Sequence, residues 1–276
     1  MKAIMKDYFN KNVDSLKNKK LFLLDMDGTI YQEDYLFEGT LPFLEEVKKQ
    51  GGKYIFITNN SSKSVDAYVE KLKKLGIDAI KEDFFTSSQA TILYLNEKHK
   101  NSKIFCEGTK SLVNELKEAG FNITEEVEDN IDVVLLGYDT ELTSQKLRNT
   151  CEVLLQDVEY IATNPDLVCP VSFGYVPDCG SVAIMLKNAT GKYPTFIGKP
   201  ESTMINFVMK KYGYTKEETA VIGDRLYTDI LSAINADVTS ICVLSGEATV
   251  DDIVNGDIKP TFTISDIMEV YNIIKK

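Results

Sequence analysis

The chain has 276 residues, 43% hydrophobic and 26% charged, with a formal net charge of −11. That length holds one large domain or two smaller ones around a real core, and the composition is ordinary for a globular protein. The acid excess argues against nucleic acid or an anionic membrane as main partner, because both demand basic surface.

Residues 1–20 are rich in Lys and Asn and carry no apolar stretch of the kind a secretory signal needs. They read as an N-terminal extension, either a surface helix or a mobile arm. Four short apolar runs then stand out: Leu21–Leu24, Tyr54–Ile57, Ala220–Ile222 and Ser240–Leu244. Runs of this length, apolar at successive positions, fit strands buried on both faces of a parallel sheet. Helical patterns follow the first two, over 41–50 and 64–75, each closed by Gly. A third pattern, 203–212, closes at Gly213, and Thr215 and Glu218 have capping-box spacing before the next strand. Pro200 is placed as a first helical residue.

The middle of the chain repeats the alternation. Strand patterns at 103–106, 131–136 and 160–162 are separated by helical patterns at 109–119 and 143–156. The expected fold is therefore α/β: a Rossmann-like parallel-sheet core, 21–85 and 182–276, with an α/β unit inserted at 86–181. No apolar run approaches the ~18 residues of a membrane span. Five cysteines, at 106, 151, 169, 179 and 242, are odd in number and form no C-x-x-C pair, so free thiols and a cytoplasmic location are expected. Cys106, Cys151 and Cys242 read as core residues, while Cys169 and Cys179 flank the return from the insertion. His99, the single histidine, lies in a charged helix end and reads as solvated. Tyr227 reads as packing.

In open parallel sheets, ligands bind at the carboxyl ends of the strands. Three of the apolar runs end there in a polar group: Asp25, Thr58 and Asp224. The segment Asp25-Met26-Asp27-Gly28-Thr29 specifies four positions that recur by chance about once per 10⁵ positions. A carboxylate at Asp25 can attack a phosphoryl group and form an aspartyl-phosphate. Two negative groups then meet, which calls for a divalent cation such as Mg²⁺, with Asp25 and Asp224 as ligands. Asp27 can protonate the leaving oxygen and later activate water, which keeps its carboxylate off the metal and leaves its backbone carbonyl as ligand. Gly28 lets the loop bend around the site. The Thr58 hydroxyl and the Asn59 N–H can donate to phosphate oxygens. Lys199, in Gly198-Lys199-Pro200, adds a cation that neutralises both Asp25 and the phosphate, so attraction for an anionic substrate is local.

These residues resemble the haloacid dehalogenase superfamily of aspartyl phosphatases. Asp25–Thr29, Thr58, Lys199 and Gly223-Asp224 with Asp229 look like its four motifs, in order. Thr58-Asn59-Asn60-Ser61-Ser62, Ala162-Thr163-Asn164-Pro165-Asp166 and Gly223-Asp224-Arg225-Leu226-Tyr227-Thr228-Asp229-Ile230 are similar to the nitrophenylphosphatase-like, NagD-type subclass, over about residues 20–250. The resemblance implies an α/β cap inserted after the second motif and hydrolysis of small phosphorylated metabolites. It implies Asp25 as nucleophile, Asp27 as acid/base, and Asp25, Asp27 and Asp224 on Mg²⁺. Gly28, Thr58, Asn59, Asn60 and Lys199 bind phosphate, Asn164 and Asp166 lie in the cap loop that chooses substrate, and Asp229 steadies the metal's waters or Lys199. One departure is Pro177-Asp178-Cys179-Gly180, where the family has a Pro-Gly-x-Gly-like turn.

A calcium loop starting at Asp25 would need Glu at its twelfth position, where Leu36 stands. A phospho-receiver domain shares the acid, Thr and Lys kit, but not the insertion or Asp27. An inert phosphate-binding protein on the same fold, or a phosphotransferase using the same intermediate, is separated from a hydrolase by turnover and product analysis. A homo-oligomer is left open.

Overall fold

The computed structural model describes residues 5–171 and 173–275, in two compact units. The first comprises 1–58, 69–85 and 199–276, and the second 59–68 and 86–198.

The first unit is built on a six-stranded sheet. In spatial order its strands are Phe262–Ile264, Thr239–Val243, Thr219–Gly223, Leu21–Leu24, Lys53–Thr58 and Phe84–Thr86. Numbered along the chain this is the order 6-5-4-1-2-3, the dinucleotide-fold arrangement, whose switch point lies between the first and fourth strands. Leu21–Leu24 is buried throughout because it is paired on both edges, Leu21 with Lys53 and with Thr219, in parallel register. That explains a continuous apolar run in place of an alternating one. The chain leaves this strand through a small hairpin, Tyr31–Gln32 with Tyr35–Leu36.

Where it is described, the N-terminal extension holds one short 3₁₀ helix, Asp14–Asn18, and is otherwise irregular; residues 1–4 lie outside the described residues. It turns back on itself, with Asp7 N–H donating to Lys11 O at 2.9 Å, and lies along the outer strand of the sheet. Tyr8 N–H donates to Thr263 O (2.9 Å), and Asp7 Oδ2 accepts from Thr263 N–H (3.2 Å). Asp7 Oδ1 accepts from the N–H groups of Phe9 and Lys11. Val13 and Leu16 are fully buried, the latter in the 3₁₀ turn Asp14–Asn18. The segment thus covers a sheet edge that would otherwise offer unpaired backbone groups.

The second unit has a five-stranded sheet in the order Thr195–Phe196, Glu159–Ala162, Val133–Leu136, Lys103–Glu107, Asn122–Thr124, all pairs parallel. Along the chain this is 5-4-3-1-2, the flavodoxin-type arrangement. An antiparallel hairpin, Val168–Val171 with Gly174–Pro177, leads to the helix Cys179–Thr190. Asp178 caps that helix by accepting from Cys179 N–H at 2.6 Å. A side chain at Gly180 would meet Pro165 O, so the departure from the family's turn still has glycine where the backbone is crowded. Cys179, Val182, Ala183 and Leu186 of the helix pack on Phe105, Val134, Leu136 and Ala162 of the sheet. This packing, and the pairing of Thr195–Phe196 with Glu159–Ala162, places the return to the first unit at Lys199, not at the expected 182. The outgoing boundary also differs, since 59–68 group with the second unit.

Glu107 shares the apolar face of that sheet with Phe105, Val134 and Leu136. It is 1% exposed, and neither carboxyl oxygen receives a hydrogen bond from a donor among the described residues. The group facing it is Asp139, which is paired with Lys146 at 2.6 Å; Lys146 also donates to Gly108 O at 2.8 Å. Burial first, and then Asp139, raise the Glu107 carboxyl to about 8.

Smaller expectations changed as well. The third predicted helix is Thr203–Tyr212, but Pro200 sits in the turn before it, after a cis peptide bond. Thr215 and Glu218 make the reciprocal capping bonds, yet they close a turn instead of a helix. All five cysteines are free; Cys106, Cys179 and Cys242 are buried and Cys151 only partly so. His99 is not solvated: its ring packs against Tyr94, with Nε2 at 3.3 Å from Glu159. No helix among the described residues is long and apolar enough to cross a membrane.

Candidate active site

The carboxyl ends of the core strands carry the site. Asp25 follows Leu21–Leu24, Thr58 ends Lys53–Thr58, and Asp224 follows Thr219–Gly223. Asp25 and Asp224 therefore flank the switch point. Asp229 comes from the turn Leu226–Ile230, and Lys199 from the segment before Thr203–Tyr212.

Lys199 is 3% exposed and is gripped by two carboxylates. Its ammonium lies 2.7 Å from Asp25 Oδ1 and 2.5 Å from Asp229 Oδ1. Burial alone would pull the ammonium down, but Asp229 and Asp25 together hold it above the ordinary lysine value. Asp229 is fully buried, and its second oxygen accepts from Arg225 N–H at 3.2 Å. Carboxylate oxygens of Asp25, Asp224 and Asp229 all lie within 4.8 Å of one another. Burial and the neighbouring Asp25 charge raise Asp224 to about 6 and Asp229 to about 7. Three carboxylates around one ammonium leave a surplus of negative charge that a hard cation would relieve. Asp229 is fully buried and engaged through both oxygens, by Lys199 and by Arg225 N–H, so Asp25 and Asp224 are the carboxylates better suited to hold it.

The Asp224 side chain is tightly fixed. Its Oδ1 accepts from Thr29 Oγ1 at 3.2 Å, and its Oδ2 from Glu247 N–H at 2.8 Å. A β-carbon at either Gly28 or Gly246 would collide with this carboxylate, and Gly28 also has a positive φ of 84°. Both positions need glycine, one for conformation and space, the other for space. Asp27 stands at the exposed rim of its loop, outside the carboxylate group. Partial desolvation raises its carboxyl above the ordinary value, against the pull of Lys71.

Asn59, Asn60, Asn164 and Asp166 lie in the second unit. Asn59 is buried; its Nδ2 donates to Asp166 Oδ1 at 3.0 Å, and its carbonyl accepts from Ser87 Oγ at 2.6 Å. Asn60 Oδ1 accepts from Ser62 N–H and Oγ. Asn164 is fully buried, bonded to Asp178 and Thr163. Tyr227, in the first unit, is 43% exposed and its hydroxyl reaches Glu247 at 3.4 Å.

Sequence reasoning missed Ser245, Gly246 and Glu247 as parts of this site, and gave no role to Thr29 or to Arg225, whose guanidinium pairs with Glu247 at 3.0 Å. The signal existed: Ser245-Gly246-Glu247 follows the fourth apolar run at the same sheet end as Asp25 and Asp224.

The profile of the haloacid dehalogenase-like hydrolases matches residues 22–122, and a second, HAD-hydrolase-like, matches 196–270. An acid sugar phosphatase of Staphylococcus aureus is 32% identical over 261 residues, covering 95% of this chain and all of the relative. A 4-nitrophenylphosphatase structure from Thermotoga maritima superposes with a TM-score of 0.90 at 38% identity, covering 94% of this chain and 99% of that one. A glycerol phosphate phosphatase from Mycobacterium tuberculosis, solved with calcium, gives 0.86 at 28% identity, covering 93% and 76%.

Proposed function

Since the chain belongs to the haloacid dehalogenase-like hydrolases and is a phosphatase of their NagD and nitrophenylphosphatase type, we propose that it hydrolyses small phosphate monoesters, sugar phosphates among them, through an aspartyl-phosphate on Asp25. The observation that carries this reading is the Asp25–Lys199–Asp229 cluster beside Asp224 at the switch point of the core sheet.

The Asp25 carboxylate attacks phosphorus, forming its own O–P bond as the bond to the ester oxygen breaks. Asp27 gives its proton to the departing alkoxide, then removes one from the water that attacks the aspartyl-phosphate and frees Asp25. Its affinity for protons, raised above the ordinary value by partial burial, suits the donor role. The Thr58 hydroxyl and the Asn59 N–H donate to the non-bridging oxygens, with Gly28 and Asn60 shaping the turns that border them. Lys199 pairs with Asp25 and offsets the phosphoryl charge, and Asp229 keeps Lys199 in place. Asp25, Asp224 and the Asp27 carbonyl would hold Mg²⁺, which screens the repulsion between carboxylate and phosphate. The inserted unit is assigned the role of cap, with Asn164 and Asp166 in the segment that bears on substrate choice.

The test uses 4-nitrophenyl phosphate and a panel of sugar phosphates. The wild type with Mg²⁺ turns over, a chelator stops it, and Asp25→Asn falls by at least about 10³-fold with its circular dichroism unchanged. Turnover by Asp25→Asn near the wild-type rate removes the nucleophile assignment. Phosphate appearing on an added alcohol instead of in solution marks a transferase.

A further inference from the structure

The turn Ser245-Gly246-Glu247 follows the strand Thr239–Val243, and its contacts reach both acidic loops of the site. Ser245 Oγ donates to Gly28 O at 2.7 Å, clasping the turn that carries Asp27. Glu247 N–H donates to Asp224 Oδ2 at 2.8 Å, and Ala248 N–H donates to Asp224 O at 2.9 Å. Between them, Gly246 leaves the space that the Asp224 carboxylate occupies. None of these three residues holds phosphate or metal in the reading above. Their contacts nonetheless fix two of the three groups assigned to the cation: the Asp224 carboxylate directly, and the Asp27 carbonyl through the next peptide.

We propose that Ser245–Glu247 is a positioning element of the cation site: Ser245 sets the Asp27–Gly28 turn, and the Gly246–Glu247 backbone sets the Asp224 carboxylate. This rests on the reading of Asp25, Asp27 and Asp224 as Mg²⁺ ligands. The physical basis is general, because groups that orient ligands change affinity by about 10–100-fold when removed, without touching the ion. Ser245 is the informative position. Its hydroxyl makes one directed bond, and the remaining side chain is a single carbon.

The experiment is a calorimetric titration with Mg²⁺ of the wild type, Ser245→Ala, Ser245→Thr and Gly246→Ala, alongside steady-state kinetics. Ser245→Ala and Gly246→Ala weaken Mg²⁺ binding about tenfold, and Ser245→Thr returns it to within about threefold of wild type. The Mg²⁺ concentration for half-maximal rate rises by the same factor, while KM for the ester at saturating Mg²⁺ stays within about twofold. Should Gly246→Ala not fold, the Ser245 pair decides alone. A wild type that binds no Mg²⁺ overturns the metal reading, and this inference with it. A wild type that binds while Ser245→Ala binds equally well overturns this inference only. So does Ser245→Thr behaving like Ser245→Ala, which assigns the effect to packing and not to the hydroxyl.

Discussion

Replacing Glu107 with Gln should make the protein more stable in mild alkali, the opposite of what removing a buried charged residue usually does. Glu107 is faced by Asp139 and Lys146, and by Cys106, Tyr160 and Cys179, which share its surroundings. None of these supplies the donors an ionised carboxylate needs. Two facing carboxyls are satisfied together when Glu107 keeps a proton and donates it to Asp139, which is paired with Lys146. Between the ordinary value of 4.5 and the folded value of about 8, the folded state retains a proton that the unfolded chain has released. Its contribution is complete below 4.5 and lost as the pH rises through 8. At about 1.36 kcal/mol for each pH unit of that window, the loss reaches roughly 4–5 kcal/mol. Gln carries a permanent donor in the same shape, so Glu107→Gln removes that slope. Native-state hydrogen exchange at Val134 and Leu136 reads the inserted unit directly, at pH 5.5, 7 and 8.5. The variant should match wild type at the lowest pH and exceed it by roughly 2–4 kcal/mol at the highest. A wild type with flat stability over this range, or a variant weaker than wild type at pH 8.5, refutes the shared proton.

Lys199→Met should leave Asp229 buried without its cation, at a cost of roughly 3–5 kcal/mol measured by denaturant unfolding. The deficit should shrink from pH 8 towards pH 5 as Asp229, already raised to about 7 by burial and Asp25, takes up a proton; a deficit independent of pH contradicts this. Asp7→Ala removes an acceptor shared by three backbone N–H groups, including that of Thr263 on the sheet edge. Its expected loss is about 1–3 kcal/mol in unfolding, with Thr263 exchanging faster; an unchanged midpoint would show the turn holds without its carboxylate.

The core was legible where chemistry interrupts hydrophobicity. Asp25, Thr58 and Asp224 each end an apolar run, and a polar group at a buried strand end is visible in one dimension. Lys199 was legible from its charge and neighbours, and its pairing with Asp25 and Asp229, 174 and 30 positions away, was expected from charge and from the resemblance, though not its geometry. The Ser245–Glu247 turn was marked only by its place after the fourth apolar run, because it acts through a hydroxyl, a backbone N–H and an absent side chain, residue types common in any turn. Glu107 escaped for a related reason. A charged residue marks the end of a strand in a sequence, so the predicted strand stopped at Cys106, one residue short. The return boundary failed because the helix Cys179–Thr190 could cover either sheet. What assigns it is a pairing between Thr195 and Ile161, and that is a three-dimensional fact.

The strand carrying Asp25 is the first of its sheet to be synthesised and one of the last to be completed. Leu21 pairs on one side with Lys53 and on the other with Thr219, which the ribosome adds only after the whole inserted unit. At about 5–20 residues per second, roughly 10–40 s separate Asp25 from Asp224. During that interval the inserted unit has every strand it pairs, while Leu21–Leu24 waits with one apolar edge open and exposed to wrong partners. Asp25 therefore spends its first moments on half a sheet, with neither Lys199 nor Asp224 yet beside it. The chain acquires chemistry as a late event of its own birth, after more than three-quarters of it exists.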